Sequence, residues 1–161
     1  MSGVAVSPYG PERADDFLSL YRECRSFYRM APADAALEAR IAAFMASGRH
    51  LTCLIADAEG IPAGFATYAL LFPAGDGPAL FVKEIFVAEA GRGAGVGRAL
   101  LAALAEAAAA EGCSRIDWTT DRANAGARRF YAALGVDERE DKVFYRVERD
   151  EIGAFKARLG G

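Results

Sequence analysis

Four glycines alternate with other residues in EAGRGAGVGRAL, Glu89 to Leu100, and an alanine-rich apolar run follows at once. Bare backbone before a helix serves a tight strand-to-helix turn or the close approach of a bound group. Two nucleotide-binding patterns fail here on spacing. The dinucleotide fingerprint needs glycines at i, i+2 and i+5, but Gly91 and Gly93 are followed by Val96, and Gly93 and Gly95 by Arg98. A phosphate-binding P-loop ends in Gly-Lys-Ser/Thr, and the chain has no Gly-Lys pair. Two readings remain. The glycines either form a plain turn, or they open the first N–H groups of the helix to a phosphate or pyrophosphate, with Arg92 and Arg98 at the rim.

The surrounding pattern predicts a mixed sheet covered by helices. GVAVSP reads as a first strand. Phe17, Tyr21, Cys24 and Tyr28 then recur at helical spacing behind Pro11, and Pro32 ends that helix. A second helix from about Ala33 puts Leu37, Ile41, Phe44 and Met45 on one face and stops at Gly48. HLTCLIAD and PAGFATYALLF form a hairpin about Glu59-Gly60. ALFVKEIFV is a further strand whose broken alternation implies either two covered faces or an irregularity. The helix Val96 to Glu111 buries Val96, Leu100, Leu101 and Leu104. CSRIDWTT is a strand, NAGARRFYAAL a helix stopped by Gly135, KVFYRVE a late strand, and the tail from Arg149 a short helix.

Composition narrows the function. With 161 residues, 53% of them hydrophobic and 25% charged, the chain reads as one globular domain over residues 1–161. A formal charge of -3 argues against a nucleic-acid partner, whose phosphates select a basic surface. Three cysteines without a C-x-x-C pair fit a reduced compartment. The N-terminus lacks a signal-peptide pattern, and the longest apolar run is too alanine-rich to span a bilayer, so the expected location is the cytoplasm with no membrane partner. The single histidine, His50, reads as a loop or strand-edge residue, and Cys113 as a structural thiol. No metal-binding pattern occurs.

At RGAGVG the sequence resembles a family. Arg92, Gly95 and Gly97 stand at the positions of the (Arg/Gln)-x-x-Gly-x-(Gly/Ala) signature of the GCN5-related N-acetyltransferases, the GNAT superfamily. IFVAEAG resembles the end of that family's fourth strand, and NAGARRFYAALG its later Asn…Phe-Tyr…Leu-Gly segment. The resemblance implies the GNAT fold, an α/β (α+β) arrangement with a mostly antiparallel twisted sheet and helices on both faces. It further implies transfer of an acetyl group from acetyl-CoA directly to a primary amine of a small molecule such as a polyamine or amino acid. The rival readings are a protein lysine or N-terminal acetyltransferase and a non-catalytic acyl-CoA-binding regulatory domain.

The stretches GFATYALLF, VKEIFV and WTTDRANAGARRFY are most similar to the diamine or polyamine branch and its bacterial relatives. Lys83 replaces the first carboxylate of that branch, and only Glu84 stays acidic.

Residue roles follow by the same resemblance. The cofactor set is Phe86, Val87, Arg92, Gly93, Ala94, Gly95, Val96, Gly97, Arg98 and Asn124, and Asn124 also reads as a helix cap. Tyr131 is the implied proton donor to the coenzyme A sulfur. Glu84 is the base-side carboxylate, either a tuned base or an anchor for a cationic amine. Tyr21, Arg22, Arg25, Tyr28 and Tyr68 are acceptor-pocket candidates. Many members of the family are homodimers, and KVFYRVE with the tail offers a shared edge.

Overall fold

The computed structural model describes residues 3–160. Contacts divide the chain at Thr119/Thr120 into two compact units, which are taken one at a time.

The first unit carries a five-stranded sheet in the order β1-β2-β3-β4-β5: β1 Val4–Pro8, β2 Thr52–Ala58, β3 Ile61–Leu71, β4 Ala79–Val87 and β5 Arg115–Trp118. The first three pairings are antiparallel, and β4 with β5 is parallel. The β2–β3 hairpin turns at Glu59 and Gly60, with φ of 52° and 79°. Two successive positive φ values match the right-handed twist of the flanking strands. A parallel pair needs a crossover, supplied by helix α3, Val96–Ala110. Helices α1, Ala14–Phe27, and α2, Ala35–Ala46, join β1 to β2.

Each face of the sheet has its own core. Val96, Leu100, Leu104 and Ala108 recur every four residues along α3 and pack on Leu54, Ala56, Ala66, Leu80 and Val82. Gly64 lets that helix approach. An added methyl group there would sit 2.7 Å from the Phe86 carbonyl oxygen and 2.9 Å from Val96. On the opposite face, Phe17, Leu20 and Cys24 of α1 and Met45 of α2 cover Cys53, Ile55, Phe65 and Phe86. The Cys24 and Cys53 thiols are held protonated. Burial pushes each up to about 12, helped at Cys24 by the nearby Glu84 carboxylate.

Polar contacts fix α1 on its sheet. Arg13 forks onto Asp57 at 2.8 and 2.7 Å and also reaches Ser7 and Asp16. These carboxylates hold the guanidinium pKa above its usual value. Asp34 caps α2 by accepting the Leu37 N–H at 2.8 Å, and Arg22 forks onto Glu38 to join the two helices.

The second unit holds α4, Ala125–Ala133, and α5, Ile152–Arg158. Asn124 caps α4 by accepting the Ala127 N–H at 3.1 Å, as expected, and Gly135 follows the helix with φ of 76°. The expected strand KVFYRVE is corrected: residues 142–148 form no strand. Val143, Phe144 and Tyr145 are 74, 66 and 86% exposed. Alternating apolar residues become a strand only beside a neighbour that takes their N–H and C=O groups, and among the described residues none pairs with this segment.

Candidate active site

The site begins with one extra residue in β4. Thr67 pairs with Glu84, but Tyr68 pairs with Val82, which leaves Lys83 without a partner on β3. The broken alternation of ALFVKEIFV is therefore a bulge, and the side-chain faces exchange across it. Leu80 and Val82 face α3, and beyond the bulge Ile85 and Val87 do. Phe86 instead joins the core under α1. Glu84, two residues before Phe86, shares that face.

The C-terminal end of α1 meets it there. The Tyr28 hydroxyl donates to Glu84 Oε1 over 3.3 Å, a long contact. Tyr28 is held by the way the helix stops. The Met30 N–H donates to the Arg25 carbonyl and the Arg29 N–H to that of Ser26, a paired closure that needs a left-handed residue. Arg29 fills that place with φ of 55°, where glycine is usual, at a cost of roughly 1–2 kcal/mol. The Arg25 side chain donates to the Ala31 carbonyl at 3.0 Å and tightens the same turn.

Beyond Val82, β4 has no further partner on β5, so the backbone from Lys83 to Val87 runs on past the parallel pairing. A short 3-10 turn, Glu89–Gly91, then leads into the glycine run. Gly91 is buried where an added Cβ would lie 2.9 Å from the Ala63 carbonyl oxygen, so it serves packing. Gly93 and Gly95 are exposed, with φ of 80° and 87°, and a Cβ at either would meet nothing. Gly95 is the N-cap of α3 and offers no side chain to its first turn. The first intrahelical bond of the run goes from the Ala99 N–H to the Gly95 carbonyl. The N–H groups of Val96, Gly97 and Arg98 thus lead the helix next to exposed backbone that Gly93 and Gly95 leave bare of side chains, which suits an anionic group.

Two residues that the sequence left unnoticed tie α1 to this loop. The Glu23 carboxylate accepts the Glu89 N–H at 2.6 Å. The Arg92 guanidinium lies 5.3 Å from the centre of the Phe27 ring, and that ring also meets Phe86 at 6.3 Å and Tyr28 at 5.1 Å. Neither residue lies in a motif; Phe27 continues the Phe17, Leu20, Cys24 spacing of α1, and only the contacts with Arg92 and Phe86 distinguish it from a packing residue.

The other acceptor candidates are not gathered here. Tyr21 stacks on Phe17 at 5.8 Å within the core under α1. Arg22 is occupied with Glu38. Tyr68 packs with Val82 on the α3 face, away from Glu84. His50 is exposed and stacks on Phe44. Tyr131 lies in α4 of the second unit, half-buried, its ring 5.4 Å from that of Phe130.

The family description "Acetyltransferase (GNAT) family" matches residues 14–136. The chain belongs to this family. It is accordingly an acetyl-CoA-dependent N-acetyltransferase with the GNAT fold. Aminoglycoside N(6')-acetyltransferase type 1 of Serratia marcescens is 36% identical over 106 residues, covering 63% of this chain and 73% of that enzyme. The enzyme of the same name from Salmonella typhimurium is 33% identical over 101 residues, covering 60% and 70%. Among solved structures, an integron cassette protein from the mobile metagenome of V. cholerae superposes with a TM-score of 0.84 at 26% identity, over 97% of this chain and 98% of that one. AAC(6')-Iy in complex with a CoA-linked bisubstrate analogue superposes at 0.73 with 25% identity, over 91% and 99%. The two N(6')-acetyltransferases and AAC(6')-Iy are aminoglycoside enzymes, not members of the polyamine branch that GFATYALLF, VKEIFV and WTTDRANAGARRFY resemble. The GNAT acetyltransferase's open glycine run fits the phosphates of coenzyme A, and the β4 edge that β5 leaves unpaired beyond Val82 fits an extended polar chain.

One test follows from the glycines. Gly95 needs its left-handed backbone, so a substitution there mixes strain with lost space. Gly97, within the first turn of α3, has no positive φ and separates the two. Gly97→Val is expected to fold and to bind coenzyme A at least about tenfold more weakly, because a branched side chain then stands among the first N–H groups of α3. Calorimetric titration reads this directly, and unchanged affinity removes the loop from the cofactor site.

Proposed function

We propose that the enzyme acetylates a primary amine of a cationic amino sugar of the aminoglycoside kind. The observation that carries the reading is Glu84, turned by the bulge onto the α1 face and set against Tyr28 in the part of β4 that runs on past β5. A carboxylate there attracts an ammonium group, and the long Tyr28 contact is easily exchanged for a closer one. The named relatives act on aminoglycosides, which supports the same class here.

When bound, acetyl-CoA supplies a thioester carbonyl open to nucleophilic attack. The chain's residues then divide the work. Glu84 orients the amine and takes its proton, directly or through water, so that the lone pair is free to form the new C–N bond. The backbone N–H groups near Phe86 and Val87 polarise the acyl oxygen. Arg92, Gly93, Ala94, Gly95, Val96, Gly97 and Arg98 hold the pyrophosphate, and Asn124 adds a contact from the start of α4. Tyr131 gives its hydroxyl proton to the departing sulfur as the C–S bond breaks. In this reading residues 1–161 are a single N-acetyltransferase domain.

The deciding experiment measures free coenzyme A released in the presence of aminoglycosides, polyamines, amino acids and lysine peptides. Aminoglycosides should give the highest kcat/KM, and the product mass should rise by one acetyl group. Transfer confined to peptides would assign a protein acetyltransferase instead, and coenzyme A binding without turnover on any amine would assign a sensor.

We further place the enzyme in the cytoplasm as a homodimer. Its free thiols suit a reducing compartment. The exposed Val143, Phe144 and Tyr145, with Ile152 and Phe155 of α5, offer apolar surface to a second copy. A monomer mass by light scattering at working concentrations refutes the dimer.

A further inference from the structure

We propose that Phe27 is a positioning residue that couples the cofactor loop to the acceptor carboxylate. The inference rests on the reading of the glycine run as the coenzyme A site.

A continuous set of contacts leads from one to the other. Arg92 opens the glycine run, and its guanidinium covers the Phe27 ring. The same ring meets the edge of Tyr28 at 82°, and Tyr28 donates to Glu84. Phe86, also against Phe27, lies on the strand face that Glu84 shares. The Glu23–Glu89 bond holds the base of the loop against α1, so Arg92 and Phe27 cannot drift apart freely.

Phe27 is 48% exposed and belongs to neither core cluster, so its ring adds little to the fold itself. Its neighbours are what make it consequential. A phosphate at the glycine run attracts the Arg92 guanidinium, which alters or releases the stack on Phe27. Release changes the packing against Tyr28, whose hydroxyl bond to Glu84 is long and correspondingly weak. Binding at the cofactor loop thereby changes how readily Tyr28 yields Glu84 to an incoming ammonium. By linkage the amine must change coenzyme A affinity by the same factor.

The first test uses coenzyme A alone, titrated into the full chain with labelled tyrosine rings, the Tyr28 signal being assigned from Tyr28→Phe. Saturation should move the Tyr28 resonances in the parent and in Phe27→Trp, which keeps an aromatic face for Arg92. In Phe27→Leu the movement should largely vanish while coenzyme A still binds. A Tyr28 signal that ignores bound coenzyme A in the parent, or moves equally in Phe27→Leu, overturns the proposal. No binding heat at all refutes the loop reading as well, and so separates the two failures.

The second test is kinetic. With the best amine of the panel, Phe27→Leu should raise the amine KM by about two- to fivefold, the size of one cation–π contact, with a smaller change in kcat. Phe27→Trp should restore the parent KM. A purely structural role predicts a lowered melting temperature with an unchanged KM, and that result also overturns the proposal.

Discussion

Tyr131→Phe is expected to slow acetyl transfer by about 10²- to 10⁴-fold, the usual worth of a positioned proton donor. The variant removes one hydroxyl and keeps the ring, so the contact with Phe130 and the Asn124 cap of α4 survive. A phenol is a weak acid that gives up its proton as negative charge grows on sulfur. Steady-state rates hide part of the effect where product release limits turnover. Single-turnover transfer at saturating acetyl-CoA and amine, followed across pH, isolates the chemical step. Equal rates in parent and variant throughout would make Tyr131 a packing residue.

Glu84→Gln should be nearly as severe for cationic amines. The amide keeps the shape of the side chain and a hydrogen-bonding oxygen for Tyr28, but it loses the negative charge that draws an ammonium and the basicity that accepts its proton. Removing a positioned base costs about 10²-fold or more, and losing a charge-assisted hydrogen bond adds to the loss in KM. Coenzyme A affinity should stay close to the parent's, since Glu84 faces α1 and not the glycine run. The same substitution has a second signature. The Glu84 charge helps to hold the Cys24 thiol protonated, so Glu84→Gln should lower the Cys24 pKa from about 12. A variant that transfers acetyl to every accepted amine at the parent rate would remove Glu84 from both of its proposed roles.

Much of this architecture is legible from local rules. The glycine spacing marks the loop, Asn124 marks the start of α4, and Glu59-Gly60 marks a hairpin that the φ values explain. The irregularity in β4 is legible too, since no strict alternation fits ALFVKEIFV. Its position is not. A bulge is a relation between two strands, and only pairing with Thr67 and Tyr68 identifies Lys83 as the extra residue. The same limit hides the contacts of Phe27 and leaves the face of Tyr68 open, since alternation puts it on one of two faces without saying which core lies there. Residues 142–148 show the converse: a strand-like pattern has no structural meaning until a partner edge exists.

The bulge at Lys83 makes the chemistry of this enzyme a matter of parity. In a flat strand, residues 80, 82, 84 and 86 would all point toward α3, and a carboxylate would lie against the leucines of that helix. One uncounted residue reverses the sign, so that the same letters read downstream deliver Glu84 to the amine side and Ile85 to the core. What decides the downstream faces is therefore that residue 83 is left out of the ladder. Removing that one position would close the ladder between the Tyr68–Val82 and Thr67–Glu84 pairs and leave the side chains beyond it on the faces they now occupy, whereas drawing Lys83 into the ladder as an ordinary strand residue would turn each of them to the other side of the sheet. Within such a strand, length changes away from the bulge are the dangerous mutations, and an alignment that slides by one letter there would compare the inside of one protein with the outside of another.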